Sequence, residues 1–262
     1  MLALKDMLPL LFAWNRRWGA PYGHESWWRR GLQRISPERL RPHLVGPFGF
    51  QADNSSTRRF EYAWAYQATP LIPAMHAVDV GGSLAGFQFV LAREGLNVVN
   101  VDPGESVPGG WPLDTALLAR LNRAFKTSVE LKNCPLEEAD IPTASIDRVF
   151  SISTREHMPE DSIASALNEA RRILRPGGLM VLTVDLFFDL VPFTERETNP
   201  SGHNVDVAEL VERSGLDLIQ GNPSELYGFP RFIPDMIQAR LSEYLYGSET
   251  PALVQALVLG KP

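Results

Sequence analysis

The chain has 262 residues, 44% of them hydrophobic, and 25 Lys and Arg against 31 Asp and Glu give it a formal net charge of −6. That apolar fraction excludes disorder as the main state, and a chain of this length buries a full core without disulfide or metal staples. The acidic balance excludes a protein that coats nucleic acid, and the single Cys134 excludes an internal disulfide or a multi-cysteine zinc site.

No apolar run approaches the roughly 20 residues of a bilayer span, so no transmembrane segment is expected. Residues 1–13 are apolar apart from Lys5 and Asp6. Asp6 and the lack of a small-residue cleavage site speak against a signal peptide. The segment reads as amphipathic, packing on the body or covering a pocket, and a reducing, cytoplasmic setting is expected. Residues 1–75 also hold five of the six tryptophans (14, 18, 27, 28 and 64) and Arg16, Arg17, Arg29, Arg30, Arg58 and Arg59. Two readings stand for this cap: a helical core built on the indoles, or an aromatic and guanidinium surface for sugars, carboxylates or phosphates.

From residue 76 onward, short β-like runs alternate with helical ones. A strand over 77–80 stops at Gly81-Gly82, and a helix over 87–94, with Phe87, Val90 and Leu91 on one face, ends at Gly95. A β-branched strand over 97–101 ends at Asp102-Pro103. Helix 113–125, strand 129–131 and strand 147–152 follow. The helix over 162–174 carries the stripe Ile163, Ala166, Ala170, Ile173 and Leu174, and Pro176-Gly177-Gly178 stops it. Strand 179–184 is almost continuously apolar, as a strand covered on both faces must be. Helix 207–214 stops at Gly215, and strand 216–220, helix 234–246 and strand 252–259 complete the chain. The last strand is apolar with no helix after it, which fits insertion into an existing sheet.

This alternation predicts an α/β fold: a Rossmann-like, seven-stranded, mostly parallel sheet with helices on both faces. The N-terminal helical and aromatic cap spans 1–75. The core spans 76–262, with lid insertions near 187–204 and 222–247. Ligands of such sheets bind beyond the carboxyl ends of the strands, which selects the loops after Val80, Val101, Leu131, Ile152 and Val184.

In the first of these loops, Asp79-Val80-Gly81-Gly82-Ser83-Leu84-Ala85-Gly86, glycines after a strand let the backbone approach a ligand closely. The helix that follows offers free N–H groups. Asp102 ends the next strand, 21 residues after Gly81, where a carboxylate accepts hydrogen bonds from a ribose diol. His157, beside Glu156 just past the fourth strand, has the pKa range of a neutral-pH base; its bland reading is a structural loop histidine. Asp185, at the end of the fifth strand, either orients that base, acts itself or caps a loop. His24, His43, His76 and His203 show no metal-ligand spacing.

Together these blocks resemble the class I S-adenosylmethionine-dependent methyltransferases. Asp79-Val80-Gly81-Gly82-Ser83 resembles the first motif of that family, and Asn97-Val98-Val99-Asn100-Val101-Asp102 the second, in which the acidic residue holds the ribose. The run from Asp147 to Ser153 followed by Glu156-His157 resembles its fourth-strand region, and Ala170-Arg171-Arg172-Ile173-Leu174-Arg175-Pro176-Gly177-Gly178 the helix and turn before the fifth strand. The resemblance implies S-adenosylmethionine as cofactor, with Asp79, Gly81, Gly82, Ser83, Asp102, Ser151 and Ser153 on the cofactor side. For the adenine it leaves Asn133, Glu137 or a backbone group beside Leu136. Ser83 and Ala85 depart from the glycines usual at those positions, but both are small. The implied activity is methyl transfer to a small-molecule or carbohydrate-type acceptor, with oxygen preferred because a candidate base is present. Two alternatives are carried: a nicotinamide-dependent oxidoreductase on a related sheet, whose G-x-G-x-x-G run is not matched here, and a non-catalytic cofactor-binding scaffold.

Overall fold

The computed structural model describes residues 1–3, 9–18, 31, 35–37, 40–49, 57–106, 113–244 and 252–262. His24, Trp27, Trp28, Arg29 and Arg30 of the expected cap, and residues 245–247 of the second lid, lie outside the described residues. Three helices precede the sheet: α1 (Pro9–Trp18), α2 (Arg41–Gly49) and α3 (Arg58–Gln67). Then come β1 (His76–Val80), α4 (Gly86–Arg93), β2 (Asn97–Val101), α5 (Thr115–Phe125), β3 (Glu130–Lys132), β4 (Ile146–Ile152), α6 (Glu160–Ile173) and β5 (Leu174–Phe187). A two-stranded hairpin, β6 (Thr198–Asn199) with β7 (Gly202–His203), leads to α7 (Val207–Ser214), β8 (Asp217–Gln220), α8 (Pro234–Ala239) and β9 (Ala252–Gly260).

The seven strands run in the order β3-β2-β1-β4-β5-β9-β8. The first five pair in parallel. The last strand inserts into the sheet, as its apolar, helix-free character predicts, and it runs antiparallel between β5 and β8. The strand order reverses between β1 and β4, and that switch point opens a crevice at the carboxyl ends of both strands.

Alternation along each strand separates two cores. Ala77 and Phe150 face a cluster with Trp14, Trp18, Phe48, Tyr62, Phe87 and Leu121, so the N-terminal helices pack on the same face as α4 and α5. Val78 and Val149 face the opposite cluster with Ile163, Leu167, Ala170, Leu210 and Leu257, under α6 and α7. The indoles of Trp14 and Trp18 are buried, and Trp14 packs against Phe48 with ring centroids 5.5 Å apart. For these two residues the packing reading of the cap holds. Leu2 N–H donates to the Val254 carbonyl at 2.8 Å, so the start of the chain packs against β9.

Three features differ most from the sequence reading. Strand β5 begins at Leu174 rather than 179, because Leu174 pairs with Ile146 before residues 175–178 loop out and Leu179 pairs with Arg148. Gly177, at φ +73°, supplies the left-handed residue that this excursion needs. The helix expected over 234–246 ends at Ala239, followed by a tight turn over Leu241–Glu243. Tyr244 is extended and bridges to Ala3, a tertiary pairing that overrides the local helical pattern. The β6–β7 hairpin falls inside the segment read as a lid insertion near 187–204, for which no strand was expected. Among the described residues no helix is long and apolar enough to cross a membrane.

Candidate cofactor and transfer site

The glycine turn after β1 is held from three sides. Gly81 has φ +68°, and its N–H donates to the Val101 carbonyl at 2.9 Å. A Cβ at Gly81 would lie 2.2 Å from Thr154 Cγ2, and one at Gly82 would lie 2.4 Å from Asp79 Oδ2. Both positions therefore require glycine, one for its dihedral and both for space. Ser83 also adopts positive φ. Its N–H donates to Asp102 Oδ2 at 2.7 Å, while its carbonyl accepts from Gln88 Nε2 at 3.0 Å and from Asn100 Nδ2. On the β4 side, Thr154 Oγ1 donates to the Val80 carbonyl at 3.2 Å.

Asp102 is half-buried at the end of β2, and its other oxygen accepts from Gly104 N–H at 2.8 Å. Asn133 is exposed and donates from Nδ2 to the Asp102 carbonyl at 2.9 Å, which brings the third-strand loop to the same edge. Leu136 is buried in the tight turn Leu136–Glu138, with Glu137 exposed beside it. Asp79 is 2% exposed; burial, and after it the Asp102 charge, push its carboxyl up to about 7.

The fourth-strand serines part ways. Ser151 is fully buried within β4, and its hydroxyl has no partner. Ser153, at the strand end, donates from its hydroxyl to Glu61 Oε1 and from its N–H to Thr183 Oγ1 at 3.1 Å. Its carbonyl accepts from Arg58 Nη2 at 3.4 Å.

Glu61 joins this site from α3 and is fully buried. It accepts from Thr183 Oγ1 at 2.7 Å and from Arg58 Nη1 at 2.7 Å. Burial pushes its carboxyl up, but the Arg58 charge and the hydroxyl donors outweigh that and hold it low. Glu156 is also fully buried, and Asp185 N–H donates to its Oε1 at 3.3 Å. Burial pushes Glu156 up to about 7. It pushes Asp185 well above the usual carboxylate range, helped by the charge on Glu156.

His157 is exposed in the tight turn Arg155–His157. Desolvation and the Arg58 charge lower its pKa, opposed by a hydrogen bond to the Ser201 backbone. Aromatic residues of the two lid segments pack on one another. Phe188 and Phe193 lie 4.6 Å apart, Phe193 and Phe232 6.4 Å, and Tyr227 and Phe232 5.7 Å.

The structure thus brings Asp79, Gly81, Gly82, Ser83, Asp102 and Asn133 to one edge, and Ser153, Glu156, His157 and Asp185 to the adjoining strand ends. Sequence reasoning named Arg58 only among the arginines of the cap and gave Glu61 and Thr183 no role. The available signal was Glu61 itself, a carboxylate between Phe60 and Tyr62 in an otherwise aromatic helix.

Residues 78–182 match the family model described as a methyltransferase domain. The chain is 31% identical over 121 residues to the ubiquinone biosynthesis O-methyltransferase of Hahella chejuensis, covering 46% of this chain and 44% of that protein. The match spans less than half the length of the curated relatives. Among solved structures, the (4+2)-cyclase SpnF superposes with a TM-score of 0.58 at 16% identity, covering 94% of this chain and 99% of SpnF. An S-adenosylmethionine-dependent methyltransferase from Mesorhizobium loti superposes at 0.53 and 15% identity, covering 77% of this chain and 97% of that one.

Proposed function

We propose that the chain, whose residues 78–182 match the methyltransferase-domain model, is a class I S-adenosylmethionine-dependent methyltransferase that transfers the methyl group to a hydroxyl of a small organic or carbohydrate-type acceptor. The observation that carries this reading is the Asp102 carboxylate tied to the Ser83 N–H of a turn in which neither glycine has room for a Cβ.

The residues fit the cofactor. The glycine turn is assigned to the close approach of the cofactor, and Asp102, whose oxygens accept from Ser83 and Gly104 N–H, to the ribose diol. Asn133 or a group beside Leu136 is assigned to the adenine edge. The cofactor supplies an already activated methyl group, so the protein's work is to hold the nucleophile in line and exclude water. Helix α3 supports that task by tying Glu61 and Arg58 to the ends of β4 and β5. Residues 1–75, with the aromatic cluster of Phe188, Phe193, Tyr227 and Phe232, are assigned to the acceptor side. His157 and Asp185 are the candidate proton acceptors. Oxygen is preferred over amine or thiol because those nucleophiles need a base less. The O-methyltransferase name of the Hahella relative supports the same preference.

Calorimetric titration with S-adenosylmethionine, S-adenosylhomocysteine, NADH and NADPH tests the class. Micromolar binding of the sulfur nucleosides alone is expected, and binding of a nicotinamide alone overturns the reading. Asp102→Ala should weaken nucleoside binding by on the order of 1.5–3 kcal/mol through lost charge-assisted hydrogen bonds. Unchanged affinity in the folded variant overturns the ribose assignment. With the nucleoside bound, a panel of hydroxyl, amine and thiol acceptors then reads which atom is methylated.

A further inference from the structure

Glu156 and Asp185 stand at the carboxyl ends of the neighbouring strands β4 and β5, beside the switch-point crevice. Asp185 N–H donates to Glu156 Oε1 at 3.3 Å, which ties the two residues together. Glu156 Oε2 and Asp185 Oδ1 are buried without a hydrogen-bond partner. Glu156 is fully buried, so nothing from solvent compensates it.

The charged groups that face the pair leave it short of positive charge. From α3, Arg58 is engaged by Glu61 at 2.7 Å, and Glu61 itself repels the pair. Within the turn, Arg155 is fully buried beside Glu156, with Nη1 on Met158 Sδ at 3.4 Å. Desolvation, and after it the Arg58 charge, lowers the pKa of His157, with a further push from His203 of β7. Two adjoining carboxyls in such a pocket resist losing both protons and titrate as one unit. A cation that enters the crevice changes that balance, and a neutral ligand does not.

We propose that the Glu156–Asp185 pair is a proton switch set by the charge on the bound nucleoside. It gives up its shared proton when the sulfonium form binds and keeps it when the thioether form binds. This rests on the S-adenosylmethionine reading above. Its chemical consequence is a carboxylate that is ionised only while the methyl donor is loaded. The acceptor oxygen then forms its bond to the methyl carbon as the carbon–sulfur bond breaks with its electron pair on sulfur. The hydroxyl proton passes to the pair, whose charge the departed sulfonium no longer balances. Burial, and the charge of one member on the other, favour the protonated state of the empty pair, with Glu156 raised to about 7.

Calorimetric titrations at pH 7 in phosphate and in Tris, whose ionisation enthalpies differ, count the protons released on binding. S-adenosylmethionine should release a measurable fraction of a proton and S-adenosylhomocysteine none. The difference should vanish in Glu156→Gln and in Asp185→Asn, each checked for folding by thermal melting. Asp185 is only half-buried, so its variant keeps the test available where Glu156→Gln does not fold. Asp217→Asn, at an exposed position on the edge strand β8, should retain the difference. Equal proton counts for the two nucleosides, persistence of the difference in both pair variants, or its loss in Asp217→Asn overturns the switch. Failure of either nucleoside to bind overturns the methyl-donor reading instead.

Discussion

A carboxyl group at the floor of a cofactor loop meets opposing demands, and Asp79 shows their net effect. It is 2% exposed and has a second carboxylate, Asp102, nearby, so burial first and repulsion second raise it to about 7. In the unfolded chain it titrates near 3.8. Between those values the folded state holds a proton that the unfolded state has lost, so the stability this group contributes falls as pH rises and levels off above about 7. Ligand-free protein should therefore lose up to about 4 kcal/mol relative to Asp79→Asn between pH 4 and pH 7.5. Urea melts of both proteins at the two ends of that window measure it; parallel pH profiles would show that Asp79 is not perturbed. The residues around Asp79 were legible in the sequence because their constraints are local. Gly81 and Gly82 follow a strand directly, and Asp102 ends the next one. What the sequence did not reveal is the packing of Asn100 and Gln88 beneath Ser83, since neither residue type announces a buried amide that props a loop.

At the scale of elements, helix α3 joins the cap to the sheet through one buried carboxylate. Glu61 collects donors from three directions: Arg58 in its own helix, Ser153 on the end of β4 and Thr183 on β5. An isolated buried charge is costly, but one with an ion-pair partner and two hydroxyl donors is stabilised, and its removal strands all three donors. Glu61→Gln keeps the shape, loses the charge and should cost about 2–4 kcal/mol of unfolding free energy. Chemical denaturation reads that loss, and a cost below about 0.5 kcal/mol would show that α3 is held by its apolar face alone. Because Glu61 stays ionised in the folded state, the same variant should lose its disadvantage as pH falls through the lowered pKa of the wild-type group. This joint was hidden from the sequence because its partners lie 92 and 122 residues away, and no periodicity reports a contact at that separation. The stop of α7 was visible by contrast, as local signals are: Gly215 ends it in the left-handed conformation, while Asp206, which the sequence reading did not name, caps its start by accepting from Glu209 N–H at 2.9 Å.

At the scale of the whole molecule, a β9 strand between β5 and β8 makes the parallel half of the sheet depend on the last residues of the chain. All nine residues of β9 are buried, and it pairs with β5 in continuous register from Gly260 opposite Leu179 to Ala252 opposite Phe187. That register fixes the height of Asp185, opposite Val254, and so the position of the proton-sharing pair at the crevice. A run of nine apolar or small residues interrupted only by Gln255 made the strand legible. Its antiparallel sense and its place in the order depend on contacts that no local run encodes. Leu257 tests the dependence. It is fully buried, pairs with Leu182 and packs in the core under α6 and α7. Leu257→Ala should cost about 2–5 kcal/mol by lost transfer energy and the cavity left behind. At roughly 2–4 °C per kcal/mol for a chain of this size, the melting temperature should fall by on the order of 5–15 °C. Ile219 on the neighbouring edge strand β8 is 62% exposed, and Ile219→Ala should stay within about 0.5 kcal/mol of wild type. Equal costs at the two positions would mean that β9 is not the buried centre of this half of the sheet. A large loss at Leu257 with weakened nucleoside binding in the still-folded variant would tie the site's geometry to the terminal strand directly.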